Sequence, residues 1–284
     1  MTTSSDTAPS DLPVQIIRPS GKWGSLSFRE LWQFRELLFV FTKRNVLVRY
    51  KQTVLGAAWA IIQPVFMMIV FTIFFRKLAH VSSGGVPYPI FSYSGLLPWL
   101  FFSNSMVQSS GSLVANANML RKIYLPRLIL PLTSVLTALV DFFVASSVLA
   151  GLMIYFHVYP APIRLLALPL LVVLAMSTAL GVGLWLSSLN VKYRDVGYVV
   201  PFLTQIWMFA TPAIYLAGSF HEPWKTVLGL NPMQGVVGGF RWALLHQGQS
   251  PGPMLGVSVA ISLFMLVTGL LYFRRTERTF ADVV

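Results

Sequence analysis

The sequence has no cysteine, which excludes disulfides, thiolate nucleophiles and cysteine-ligated metals and says nothing about compartment. Charge is scarce as well, at 11% of 284 residues, against roughly 25% in soluble domains. Acids are scarcer still. Nine are present, and all but Asp141 fall in tails or in connections between apolar stretches. No carboxylate pair is therefore available for general acid and base work. A lone acid is also a poor coupling site for a proton- or sodium-driven carrier, which shows several intramembrane charges or broken helices. A nucleotide-cradling Gly-x-x-x-x-Gly-Lys-Ser/Thr loop is missing, because the one Gly-Lys, Gly21-Lys22, lacks the preceding glycine. The chain cannot use ATP unaided, so energy for any driven process has to arrive through another protein.

Apolar sequence is what the chain has in quantity: 55% of residues are hydrophobic. Windows of about twenty residues with few or no charges recur, enough to cross a hydrocarbon core of roughly 30 Å as helix. The reading is an all-α integral membrane protein with six spans, at about 54–75, 90–110, 128–156, 165–189, 196–216 and 254–273. The second is the weakest, because Ser92, Ser94, Pro98, Ser103 and Asn104 interrupt it; such a helix prefers protein neighbours to lipid. Six crossings place both termini on one side. Of the 21 basic residues, only Arg76, Lys77, Arg164, Lys225 and Arg241 fall opposite the termini, so both termini are expected in the cytoplasm. The net charge of +12 is then orientation among membrane lipids, with no nucleic acid implied. His80, His157, His221 and His246 fall in outer connections without ligand-like spacing.

Residues 1–27 lack the apolar core of a signal peptide and read as a flexible cytoplasmic tail. From 28 to 50 the pattern becomes amphipathic, with Leu31, Phe34, Leu38 and Phe41 at spacings of three and four. Such a helix is expected along the cytoplasmic membrane surface, either as an anchor or as a moving gate. The outer connection from Gly218 to Pro253 carries apolar runs broken by Asn231-Pro232, which suits short re-entrant helices before the last span. Asp141 either bonds to a serine or threonine on a neighbouring helix or lines a polar path. The connection Asn116 to Arg127 is basic and compact; it either sets topology or docks a partner.

Several stretches together resemble the membrane subunit of ABC-2 type ATP-binding-cassette exporters, in the branch that exports O-antigen, capsular polysaccharide and teichoic acid. They are Arg49-Tyr50-Lys51-Gln52-Thr53-Val54-Leu55-Gly56 with Trp59 and Gln63-Pro64, Val86-Pro87-Tyr88-Pro89, and Gly95-Leu96-Leu97-Pro98-Trp99. Further on come Arg121-Lys122-Ile123-Tyr124-Leu125-Pro126-Arg127, Asn190-Val191-Lys192-Tyr193-Arg194-Asp195-Val196, Thr211-Pro212-Ala213-Ile214-Tyr215, Leu230-Asn231-Pro232-Met233 and Glu277-Arg278-Thr279-Phe280-Ala281-Asp282. The resemblance covers about Leu31 to the C-terminus, so 28–284 reads as one transmembrane domain.

The resemblance implies a homodimer on two copies of a separate ATPase subunit in the bacterial inner membrane. A channel between the copies would take a polyprenyl-pyrophosphate-linked polysaccharide, O-antigen first among the cargoes, with teichoic acid, capsule, another lipid or a drug as alternatives. The chain would need no cofactor itself; ATP and Mg would sit on the partner. The 28–50 helix would be the gate, and Arg121, Lys122, Tyr124, Pro126 and Arg127, with Arg194 and Asp195, the ATPase-coupling residues. Trp59, Phe66, Trp207 and Tyr215 would line the glycan path, since aromatic rings offer a sugar an apolar face. Arg44, Arg49 and Lys51 would meet the pyrophosphate at the cytoplasmic entrance.

Overall fold

A chain this apolar forms helices because each satisfies its own backbone polar groups where no water can. The computed structural model describes residues 32–51, 56, 58–122, 125–216, 224–246 and 252–277, and among these the architecture is all-α. The tail 1–27, Leu31, Val54, Leu55, Tyr124 and His221 lie outside the described residues. In chain order the elements are α1 (Arg35–Lys51), α2 (Ala58–Phe71, prolonged by a π-helical stretch, Thr72–Leu78), α3 (Tyr88–Ala115), α4 (Ala117–Leu120) and α5 (Ile129–Tyr155). Then come α6 (Pro162–Leu165), α7 (Ala167–Lys192), α8 (Val196–Ala210), α9 (Trp224–Gly229), α10 (Pro232–Leu245) and α11 (Pro253–Glu277).

Among the described residues, four helical stretches are long and apolar enough to cross a membrane: Ala58–Leu78, Ile129–Tyr155, Pro162–Lys192 and Met254–Glu277. The protein is multi-pass. The other two expected spans differ, each for a physical reason. α3 is long, at 28 residues, and most of them are buried. Several of its hydroxyls turn back on the helix, Ser94 donating to the Phe91 carbonyl at 2.8 Å, Ser110 to Val107 at 2.7 Å and Ser112 to Ser109 at 2.8 Å, whereas the Ser105 and Ser109 hydroxyls are buried with no hydrogen-bond partner among the described residues. α3 thus spends much of its hydroxyl polarity on itself and sits between α5 and α7.

α8 corrects the expected span 196–216, because the helix stops at Ala210. Pro212 disfavours a helical residue before it, and Thr211 is extended, with φ −106° and ψ 132°. At 15 residues α8 is about 22 Å long, less than a full hydrocarbon thickness. Elsewhere close packing depends on small residues. A Cβ on Gly269 would collide with the Gly181 carbonyl oxygen, so α7 and α11 touch backbone to backbone there. On the same seam the Thr178 and Ser262 hydroxyls lie 2.7 Å apart, and Trp185 stacks on Tyr272 with ring centroids 4.5 Å apart.

The buried residues form two clusters. The larger runs through the middle and one end of the bundle, around Tyr93, Phe102, Phe142 and Phe240. The smaller gathers Leu113, Leu125, Ile129, Val191 and Phe273 from the facing ends of α3, α5, α7 and α11. α1 packs on that second cluster through Phe34, Leu37, Leu38 and Phe41. The expected stripe therefore faces protein, not the membrane surface alone. The opposite side of α1 is apolar too, with Trp32 and Phe39 each 69% exposed. From that cluster α1 climbs along α5 until Arg49 meets Asp141, about three turns and roughly 18 Å in from Ile129. The helix is inclined into the bundle rather than laid flat.

Candidate functional site

A polar centre forms where α1 ends and α2 begins. Arg49 forms an ion pair with Asp141 of α5, and its other terminal nitrogen donates to Gln108 Oε1 of α3 at 2.6 Å. The Tyr50 hydroxyl donates to the second Asp141 oxygen. Burial, reinforced by that hydrogen bond, holds the Tyr50 hydroxyl above the ordinary phenol range, so it stays a donor. The Asp141 partners thus come from α1 and are a cation and a phenol, which corrects the expected serine or threonine. Beside this network a cavity of about 350 Å³ opens between α1, α2, α3 and α5. Trp59, Gln63, Phe101, Asn104, Gln108 and Asp141 are among its walls.

The four aromatic candidates separate into two kinds. Trp59 and Phe66 lie two helical turns apart on α2 and are 54% and 65% exposed; Trp59 is in the cavity wall. Trp207 and Tyr215 are held at the broken end of α8. The Trp207 indole donates to Asn231 Oδ1 at 3.1 Å and meets Phe102 edge-on at 5.1 Å. The Tyr215 hydroxyl donates to the Phe209 carbonyl at 2.8 Å.

Arg44 and Lys51 are exposed on α1. The Arg44 guanidinium lies over the Phe41 ring at 4.9 Å. It borders a second cavity, of about 310 Å³, shared with Asn45, Gln108, Ser112, Asn116 and Thr133. Arg49 is brought to the polar centre instead, so the three expected pyrophosphate residues occupy different environments. Among the coupling candidates, Arg121, Lys122, Arg194 and Asp195 are exposed, whereas Pro126 is buried, as is the neighbouring Leu125. Arg127 is half-buried and donates to the Glu277 backbone carbonyl at the end of α11. It ties two helix ends together as well as carrying charge.

Two residues that matter here were not singled out by their chemistry in the sequence. Asn231 caps α10, accepting from the Met233 N–H at 3.0 Å, while its amide donates to the Ala210 carbonyl at 3.1 Å and the Thr211 hydroxyl at 2.8 Å. Asn before Pro is a helix-start signal that could have found it. Arg241, expected in an outer connection, is 5% exposed. It donates to the carbonyls of Pro212 at 2.7 Å, Ala213 at 2.6 Å and Tyr215 at 2.9 Å, and stacks 3.8 Å above Phe91. Gly95 makes room for it, since a Cβ there would come within 2.7 Å of the guanidinium. His80, His157 and His246 each follow a helix end with φ between 49° and 56°, and among the described residues no His, Asp or Glu cluster suits a metal.

The fold and these sites define a polytopic helical membrane protein with an inclined helix α1 and hydrogen bonds that tie the end of α8 to α10. Residues 36–245 match the ABC-2 type transporter family, and the chain belongs to that family. It is 27% identical over 261 residues to the O-antigen export system permease protein RfbA of Myxococcus xanthus, covering 90% of this chain and 98% of that protein. It is 25% identical over 250 residues to the protein of the same name in Klebsiella pneumoniae, covering 88% and 95%. Identity to the polysialic acid transport protein KpsM of Escherichia coli is 25% over 250 residues, covering 85% and 93%.

Proposed function

We propose that this chain is the permease subunit of an ATP-driven exporter that carries a lipid-linked polysaccharide, O-antigen first, across the bacterial inner membrane. Similarity along almost the whole chain to relatives named as O-antigen export permeases carries the reading. The subunit acts as a homodimer of six-span copies, α3 supplying one of the two further crossings and the short α8 together with residues 211–216 the other, bound to two ATPase subunits that hold ATP and Mg. Both termini are cytoplasmic. α1 and the end of α11 meet the same buried cluster, which supports placing them on one side. Exposed Arg121, Lys122, Arg194 and Asp195 at that end receive the ATPase, with Pro126 and Arg127 shaping the same element. Arg44 and Lys51 meet the carrier pyrophosphate, with Arg49 deeper. Trp59 and Phe66, exposed on α2, face the glycan path, with Trp207 and Tyr215 setting its outer end. A capsular cargo is the second reading, supported by the polysialic acid relative.

Reconstitution with the cognate ATPase in proteoliposomes tests this. ATP-dependent movement of a polyprenyl-pyrophosphate glycan is expected, and its absence with an assembled, ATP-hydrolysing complex would overturn the reading. Orientation has its own test: cysteine at Ser82 should label from outside intact cells and cysteine at Lys192 should not. The reverse pattern would invert the topology.

A further inference from the structure

We propose that the cavity between α1, α2, α3 and α5 is a subsite for one uncharged sugar ring of the cargo, the ring next to the lipid carrier. The proposal rests on the export reading and specifies where the first sugar is held. Its first support is charge. Arg49 and Asp141 neutralise each other, so this cavity has no uncompensated cation to hold a phosphate, although both groups keep hydrogen-bonding capacity. The second is a pair of unused amides. Gln63 and Asn104 line the cavity, and no hydrogen bond joins either side chain to another described residue. An amide offers two donors and an acceptor oxygen; with Gln63 exposed and Asn104 half-buried, both amides are open to a ligand that replaces the water on them. Adjacent hydroxyls on a sugar ring suit both.

Shape supplies the third support. Trp59 presents a half-exposed indole in the same wall, an apolar face for the C–H side of a ring. The volume of about 350 Å³ lies within the range of small-molecule sites. The neighbouring cavity adds direction. It shares Gln108 with this one and is bordered by Arg44, which suits an anion better than the neutralised pair does. A ligand with a phosphate followed by a sugar would place the phosphate near Arg44 and the sugar beyond Gln108, against Asp141 and Trp59. This arrangement lies within one copy of the chain, beneath α1, and precedes any path between two copies.

The test uses the full chain with its ATPase in lipid nanodiscs and measures ligand competition by native mass spectrometry. The probes are farnesyl pyrophosphate, its glucosyl, galactosyl and N-acetylglucosaminyl derivatives, inorganic pyrophosphate and the free sugars. At least one glycosylated carrier should bind about tenfold more tightly than farnesyl pyrophosphate, the scale of one or two added hydrogen bonds. Gln63→Leu combined with Asn104→Leu should abolish that advantage and leave farnesyl pyrophosphate affinity unchanged, which also reports that the variant is folded. Equal binding of bare and glycosylated carriers, or an advantage that survives the double substitution, would overturn the subsite and leave the export reading standing. Failure of every carrier to bind, with no ATP-dependent export, would overturn both.

Discussion

Two arginines stand inside the helix bundle, and they are held in opposite ways. Arg241 is buried among backbone carbonyls that belong to the helix break after α8, stacks on Phe91, and forms no ion pair with an acid among the described residues. Arg49 is about one third exposed and is held by side chains, Asp141 and Gln108, at the edge of a cavity. Backbone carbonyls cannot leave without unfolding the segment that carries them. Side-chain partners can be exchanged for a ligand at modest cost. The comparison assigns Arg241 to holding the helix break after α8 together and Arg49 to a site whose partners are side chains at a cavity edge.

The largest effect should come from Arg241→Met, which takes the guanidinium donor from the buried carbonyls of Pro212 and Ala213. Each such loss costs about 1 to 3 kcal/mol, so the purified chain should show strongly reduced thermal stability or fail to insert. Arg241→Lys should recover only part, since an ammonium lacks the planar fork that reaches several carbonyls at once. Full stability of Arg241→Met would erase the distinction between the two arginines. Asn231→Ala comes next. It removes the α10 cap and the tie to Ala210 and should cost about 1 to 2 kcal/mol, read as a lower midpoint in the same melting experiment.

Asp141→Asn sharpens the other side of the comparison. The pair it breaks is partly solvated, so stability should fall by about 1 kcal/mol or less, while ATP-dependent export in proteoliposomes falls severely. Exchanging the pair, Arg49→Asp with Asp141→Arg, should restore the melting midpoint and not export. Restored export would make the pair a simple strut, like Arg241. The smallest stability change belongs to Arg121→Glu with Arg194→Glu, both exposed, at about 0.5 kcal/mol or less. Co-purification of the ATPase should be lost in that variant. Retained co-purification and ATP turnover would move coupling toward Arg127 and the end of α11.

Much of this was legible residue by residue. The hydroxyls of α3 announced a helix that seeks protein rather than lipid, because a serine in hydrocarbon needs a partner and its own helix can provide one. The spacing of Phe34, Leu38 and Phe41 announced an amphipathic α1. Periodicity cannot say whether an apolar stripe meets lipid or other helices, and here it meets the cluster around Leu113 and Phe273. Pro212 was visible in the sequence too, yet its consequence, a helix that ends at Ala210, depends on whether neighbours can receive the freed carbonyls. Arg241 and Asn231 receive them.

Composition and order alone therefore determined the class of molecule: twenty-residue apolar stretches must become helices in a bilayer, and their basic flanks bias orientation, whatever the packing. Pairing between distant residues was decided only by the tertiary structure. Arg49 lies 92 positions from Asp141, and Arg241 lies 29 from Pro212. Nothing local marks which charge will find an acid and which will find carbonyls, because that choice is made by the helices that close around each guanidinium once the bundle has formed.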